Sequence, residues 1–287
     1  MSSNLGSVSH FGPAKRPAPV GAMAAVRARV RSDLVRMEAI SFYDDVVRSC
    51  SGNPQELLGR SGLDASLLQD PDAQFPYPVM VSLLERAAQT LDCPDFGLRL
   101  AMRQHPVGIM GPLDIVMRNS PTLGHAFRYS REHAHAYCAG TILEPFHDGH
   151  GRWILRFQIL FDRITKHAQA SEHALFTTYL AIKAMSQNKA NIRELWFTHR
   201  PLREISAYRE YFDAPVRFEQ PFDALVLDGD AEQLPIDGRS KKLYTIAARL
   251  LDINYPQPEA LLQAKVKSLV GEKLASGGQL LVLQGRM

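Results

Sequence analysis

From Asp33 onward, apolar positions recur at helical steps. Leu34, Ile40, Val46 and Val47, with Phe42 and Tyr43 between them, predict a helix up to Arg48. Asn53-Pro54 starts a short helix ending near Gly59, because Asn caps free N–H groups and Pro at the first helical position loses no hydrogen bond. Pro78 opens a longer helix in which Val81, Leu84, Ala88 and Leu91 share a face, and Asp92-Cys93-Pro94 stops it. Asp95 is placed to cap the next helix, through Arg103. Ser120-Pro121 then starts another through Leu123, Phe127, Ser130 and Ala134.

After Gly140 the period becomes two. Thr141 to Phe146 and Trp153 to Phe161 are β-branched and aromatic runs, and His147-Asp148-Gly149-His150-Gly151 between them reads as a hairpin turn. Trp153, Leu155, Phe157 and Ile159 alternate with Ile154, Arg156, Gln158 and Leu160, which predicts a strand covered on one side by a helix. Residues from about Thr165 to Asn188 supply that helix, with Ala168, Leu175, Tyr179, Ile182 and Met185 turned inward. Ile192 to Thr198, Val216 to Phe218 and Ala224 to Leu227 read as strands. Glu204 to Tyr211, Lys241 to Leu251 and Glu259 to Leu274 read as helices. The expected fold is α+β: a helical N-terminal third followed by a mainly antiparallel sheet covered by a long helix.

Composition agrees with a folded chain. Hydrophobic residues make up 45% and charged residues 22% of 287, which excludes disordered and fibrous classes. The weakly polar stretch from Ala174 to Met185 is broken by Lys183 and is too short to span a bilayer. Six cations against Asp33 put +5 into the first 36 residues, so of the formal net charge of +3 the body carries −2. That balance argues against a body that grips phosphates. Residues 1–32, rich in Ser, Ala, Pro and Arg, read as a disordered basic tail with no secretory signal. Cys50, Cys93 and Cys138 form neither a CxxC pair nor a disulfide framework, so reduced thiols in the cytoplasm are expected.

Candidate chemistry is sparse. Glu132, His133, His135 and Cys138 are expected on one helix, where His133 and His135 point apart, so no metal site follows. His167 and His173 lack zinc-hydrolase spacing, and there is no nucleophile elbow, phosphate loop or dinucleotide fingerprint. Neither a catalytic residue nor a cofactor is expected.

Two stretches carry more. The first is Leu91-Asp92-Cys93-Pro94-Asp95-Phe96-Gly97-Leu98-Arg99-Leu100-Ala101, then Gly108-Ile109-Met110-Gly111-Pro112-Leu113 and Asn119-Ser120-Pro121-Thr122-Leu123-Gly124-His125-Ala126. The second is Glu194-Leu195-Trp196-Phe197-Thr198-His199-Arg200-Pro201, then Tyr208 through Phe218. In order and spacing they resemble the N-terminal, arabinose-binding-like effector domain of AraC-type transcriptional regulators over about residues 36 to 255. The resemblance implies a small-molecule pocket, homodimerisation and no membrane association, and its label names no ligand. Such regulators read DNA through a C-terminal double helix-turn-helix module. Here Leu262 to Leu274 resembles only that module's first helix, followed by Ser276-Gly277-Gly278, which reads as a truncated module with no DNA-binding residues.

The expected domains are therefore a tail over 1–32, an effector-binding and dimerisation domain over 33–255, and a linker with the start of the DNA-binding module over 256–287. Two alternatives stay open at this point: a free-standing metabolite-binding protein, and a small enzyme using a histidine-lined cavity. The candidate pocket gathers Arg128, Arg131, His135 and Tyr137 before the hairpin, Arg156 on its second strand, His173 and Tyr179 on the covering helix, and His199 on the next strand. Arginine and histidine in an otherwise apolar setting suit an anionic effector.

Overall fold

The computed structural model describes residues 33–256 apart from 71, 106–107 and 162–163. The expected tail and the expected helix from Glu259 lie outside them.

The N-terminal part packs helices α1 (Tyr43–Ser49), α2 (Pro54–Arg60), α3 (Tyr77–Thr90) and α4 (Phe96–Gln104) around Ile40, Tyr43, Leu58, Leu84 and Phe96, all fully buried. Asn53 caps α2 as its sequence requires, its side chain accepting from the N–H groups of Gln55 and Glu56. Helices α5 (Pro112–Arg118) and α6 (Leu123–Glu132) follow. Thr122 supplies the side-chain cap of α6, accepting from His125 N–H.

The predicted hairpin is present as β3 (Thr141–His147) against β4 (Trp153–Ile159), in register from Thr141↔Ile159 to His147↔Trp153. With β5 (Ile192–Trp196), β6 (Val216–Arg217) and β7 (Asp223–Leu227) they form a sheet of order β3-β4-β7-β5-β6. Every pairing is antiparallel except β5 with β6. The central strand β7 is buried along its whole length, which explains its unbroken apolar run Ala224-Leu225-Val226-Leu227. Helix α7 (Ala168–Met185) covers one face, packing Leu175, Phe176, Ile182 and Met185 against Trp153, Leu155, Leu195 and Leu225. The α+β expectation is met.

Four local readings differ. Leu34–Arg36 is a strand, β1, paired antiparallel with β2 (Gln74–Pro76), and the helix begins only at Tyr43; three-residue strands exist through their partner and leave no periodic trace. Pro112 starts α5, a helix not anticipated between Arg103 and Ser120. The helix read through Ala134 ends at Glu132, and Ala134–Ala136 is a 3-10 turn, so the helical-face relation assumed for His133, His135 and Cys138 does not exist. Asp95 precedes α4 without capping it. Its carboxylate instead receives Arg99, Arg203 and the Tyr211 hydroxyl. Burial pushes that carboxyl up, but the bonds from Tyr211 and Arg99 outweigh it and hold it below its ordinary value.

The last helix among the described residues, α8 (Lys241–Asn254), is capped by Ser240 and seats Ala247 and Leu251 in the core formed with α5.

Candidate ligand-binding cavity

A cavity opens where the helical core meets the sheet core. Its walls come from α3 to α7, the turn after α6, and strands β3 and β4, and its volume is about 110 Å³. Most of the wall is apolar: Met80, Ile109, Leu113, Met117, Phe127, Leu143, Phe157 and Leu180.

One loop closes part of it. Asp114 Oδ2 accepts from the backbone N–H groups of Ile109 at 2.8 Å and Met110 at 2.7 Å, pinning the loop to the first turn of α5. Burial raises the Asp114 carboxyl above its ordinary value although the bond from Met110 opposes it. Gly111 has φ +54, and a Cβ there would lie 2.4 Å from Nη2 of Arg36. The turn therefore requires glycine both for its backbone and for the guanidinium packed on it.

Polar groups interrupt the apolar wall at few places. Gln104, 1% exposed, donates from Nε2 to the carbonyls of Ala39 at 3.0 Å and Ser41 at 3.2 Å, which leaves Oε1 to accept from Nε2 of His173 at 2.7 Å. Burial lowers His173 to about 4, so its ring is neutral and its Nδ1 carries the lone pair. The Thr177 hydroxyl is buried with no partner among the described residues. Burial raises the Tyr137 hydroxyl well above its ordinary value. Arg118 stands on the wall with no ion-pair partner among the described residues, close enough to His105 to help lower that imidazole, after burial. The arrangement can enclose an apolar body and orient a polar end. Among the described residues no group of three or more metal-ligating side chains exists, and no helix is long and apolar enough to cross a membrane.

The family model described as the arabinose-binding domain of AraC transcription regulator, N-term, matches residues 52–236. The chain belongs to this family. An HTH-type transcriptional regulator VirS of Mycobacterium tuberculosis, in two strains, is 28% identical over 248 residues, covering 85% of this chain and 72% of the relative. The crystal structure of the transcriptional regulator CdpR from Pseudomonas aeruginosa shares the fold with a TM-score of 0.51 at 13% identity, over 68% of this chain and 60% of that one.

Within this AraC-type domain the eight residues named from sequence are dispersed. Tyr137 and His173 line the cavity. Arg156 is on the opposite face of the sheet: β4 places Leu155 and Phe157 toward α7 and therefore Arg156 away from it, where it pairs with Glu144 and lies over the rings of Phe146 and Phe222. Arg131 reaches the same Glu144 at 3.9 Å, and Arg128 reaches Glu232 at 3.6 Å from an exposed position. The His135 Nε2 donates to the Tyr255 carbonyl at 2.9 Å. The Tyr179 hydroxyl donates to Asp213, which also holds Lys183.

His199 belongs to a second buried group. Its Nε2 is 3.8 Å from Oε1 of Glu172, which accepts from the Tyr208 hydroxyl at 2.6 Å. Glu172 is fully buried, its other oxygen has no partner among the described residues, and burial raises its carboxyl to about 8. Glu172 and His173 are adjacent on α7 and so point about 100° apart, one to each group.

Gln104, Asp114, Arg118 and Thr177 were missed. Two of them had a signal. From sequence the motif Gly108-Ile109-Met110-Gly111-Pro112-Leu113 carries only the family resemblance, yet it supplies part of the cavity wall, and Asp114 and Arg118 follow it within one helix. Gln104 and Thr177 had none, since each is an ordinary polar residue on a helix until packing brings it to the cavity.

Proposed function

We propose that residues 33–255 are the effector-sensing and dimerising part of a cytoplasmic AraC-type transcriptional regulator, that it is not a catalyst, and that contacts with DNA belong to residues outside this domain. The effector occupies the cavity between the two cores. It is a mainly apolar small molecule with one anionic or hydrogen-bonding end, directed to Arg118, Thr177, His173 and Tyr137. The observation that carries this is a largely apolar cavity whose wall holds the Arg118 guanidinium, near enough to Asp114 to act on its carboxyl, and a Thr177 hydroxyl without a partner among the described residues.

Dimerisation is assigned to α8. Leu243, Ile246, Leu250 and Ile253 are 51%, 47%, 43% and 74% exposed and follow one another at steps of three, four and three. That is the spacing of a two-helix seam, so the partner is the α8 of a second copy.

Thermal melting of the protein with a panel of apolar carboxylates and their neutral analogues tests the cavity. At least one compound should raise the melting temperature of the wild type and of an Arg156→Met variant, and fail to raise that of Ala181→Phe, which fills the cavity. Equal shifts in wild type and Ala181→Phe would overturn the assignment.

A further inference from the structure

Two of the three cysteines, expected from sequence as separate reduced thiols, meet in the fold. The sulfurs of Cys50 and Cys93 are 3.4 Å apart, although the residues are 43 positions apart in the chain. Cys50 closes α1 and Cys93 follows the end of α3. Each is held by its backbone: Cys50 N–H bonds the carbonyls of Val46 and Val47, and Cys93 N–H bonds that of Ala88 at 2.9 Å. The flanking residues Ser51 (φ +59) and Asp92 (φ +48) both turn the chain through the left-handed region. Gly52 lets the two helix ends approach, since a Cβ there would be 2.4 Å from a methyl of Leu91.

The pair opens to solvent. A cleft lined by Cys50, Cys93, Asp95, Arg99 and Arg203 reaches both sulfurs, Cys50 being half-buried and Cys93 5% exposed. A disulfide needs its sulfurs about 2.0 Å apart, a further approach of about 1.4 Å that side-chain rotation can supply. Cys138, buried in the helical core, has no such neighbour among the described residues.

We propose that Cys50 and Cys93 are a reversible oxidation site that forms an intramolecular disulfide with hydrogen peroxide. Cys50, the more accessible, attacks the peroxide as thiolate: an S–O bond forms, the O–O bond breaks, and the released hydroxide leaves as water with the proton Cys50 gave up. The Cys93 sulfur then displaces hydroxide from the sulfenic acid, and its own proton makes the second water. The two thiols lose two electrons in all and one peroxide becomes two waters. Burial, and then the contact with Cys50, pushes the Cys93 thiol up to about 12, so Cys93 stays protonated while the more accessible Cys50 meets the peroxide, and it gives up its proton only as it attacks the adjacent sulfenic acid.

The link would join the end of α1 to the α3–α4 turn beside Asp95. Cys93 now contacts Asp95 Oδ1 at 3.4 Å; on oxidation that contact loses its proton, while Arg99, Arg203 and Tyr211 still hold the carboxylate. The domain therefore stays folded in both states.

The test treats the reduced full chain with equimolar hydrogen peroxide and counts thiols after denaturation. The count should fall from the three cysteines of the sequence to one, with Cys138 remaining. Peptide mapping should join Cys50 to Cys93 within one chain, and dithiothreitol should restore all three thiols. Cys50→Ser and Cys93→Ser should each abolish the link, and the half-buried Cys50 position keeps the comparison available if the Cys93 variant does not fold. Three titratable thiols after treatment, oxidation of Cys50 to sulfinic acid with Cys93 free, or linkage only between chains would each overturn the proposal.

Discussion

His173 on α7 and Gln104 on α4 are joined at 2.7 Å, with the imidazole donating and the amide oxygen accepting. The direction is set from the far side, because Gln104 uses its NH₂ on the carbonyls of Ala39 and Ser41. Three segments distant in sequence are thus tied at the floor of the cavity. Gln104→Met should leave the His173 N–H buried without a partner and cost about 1–3 kcal/mol, and His173→Phe a similar amount. The double variant should lose less than the sum by on the order of 1 kcal/mol. Urea unfolding of the four proteins measures this, and strict additivity would mean that the bond contributes nothing.

Stability should depend on pH through two neighbours with opposite signs. Glu172 has its carboxyl raised from 4.5 to about 8 by burial, so its contribution is complete below 4.5 and is lost as pH rises through 8. His173 is lowered from 6.5 to about 4 by burial, so its contribution is present above 6.5 and is lost as pH falls toward 4. Glu172→Gln should flatten the alkaline decline and His173→Phe the acid one. Urea midpoints across this range would show it, and an unchanged alkaline slope in Glu172→Gln would place Glu172 in contact with solvent.

Gly111→Ala should destabilise the domain by about 1–3 kcal/mol, since alanine must adopt a glycine backbone conformation and displace Arg36. The loss should appear as a lower urea midpoint with an unchanged slope. A wild-type midpoint would show that the turn relaxes freely.

Ile246→Glu with Leu250→Glu should weaken self-association by about 3 kcal/mol, roughly a hundredfold in dissociation constant, without unfolding the domain. Both side chains are exposed in the single chain, so only an assembly loses their burial. Sedimentation at several concentrations reads the change. A wild type that stays monomeric throughout would remove α8 as the seam.

The sheet and its covering helix were legible because their signal is repetitive: β3, β4 and α7 lie within three residues of their expected bounds. Strands β1 and β2 were not, because a three-residue strand is defined by its neighbour. The cavity was legible at Tyr137 and His173, and less so elsewhere for a reason contained in the sequence itself. Alternation along β4 puts Arg156 opposite Leu155 and Phe157, so a helix packed on those two residues excludes the arginine. Pairing Arg156 with residues of α7 therefore asked one strand to present both faces to one helix. Arg118 and Thr177 became visible only with packing, since what marks them is their place on the cavity wall.

Arg36 leans on Gly111 of the cavity loop and donates from Nη1 to the hydroxyl of Tyr255 at 2.9 Å, while the carbonyl of Tyr255 is held by His135. Tyr255 is the residue on which α8 ends. The loop on the cavity wall and the point where α8 ends thus rest on one guanidinium, like two doors on a single hinge post. A displacement of the loop by way of Arg36 would therefore be felt first at Tyr255, where α8 ends.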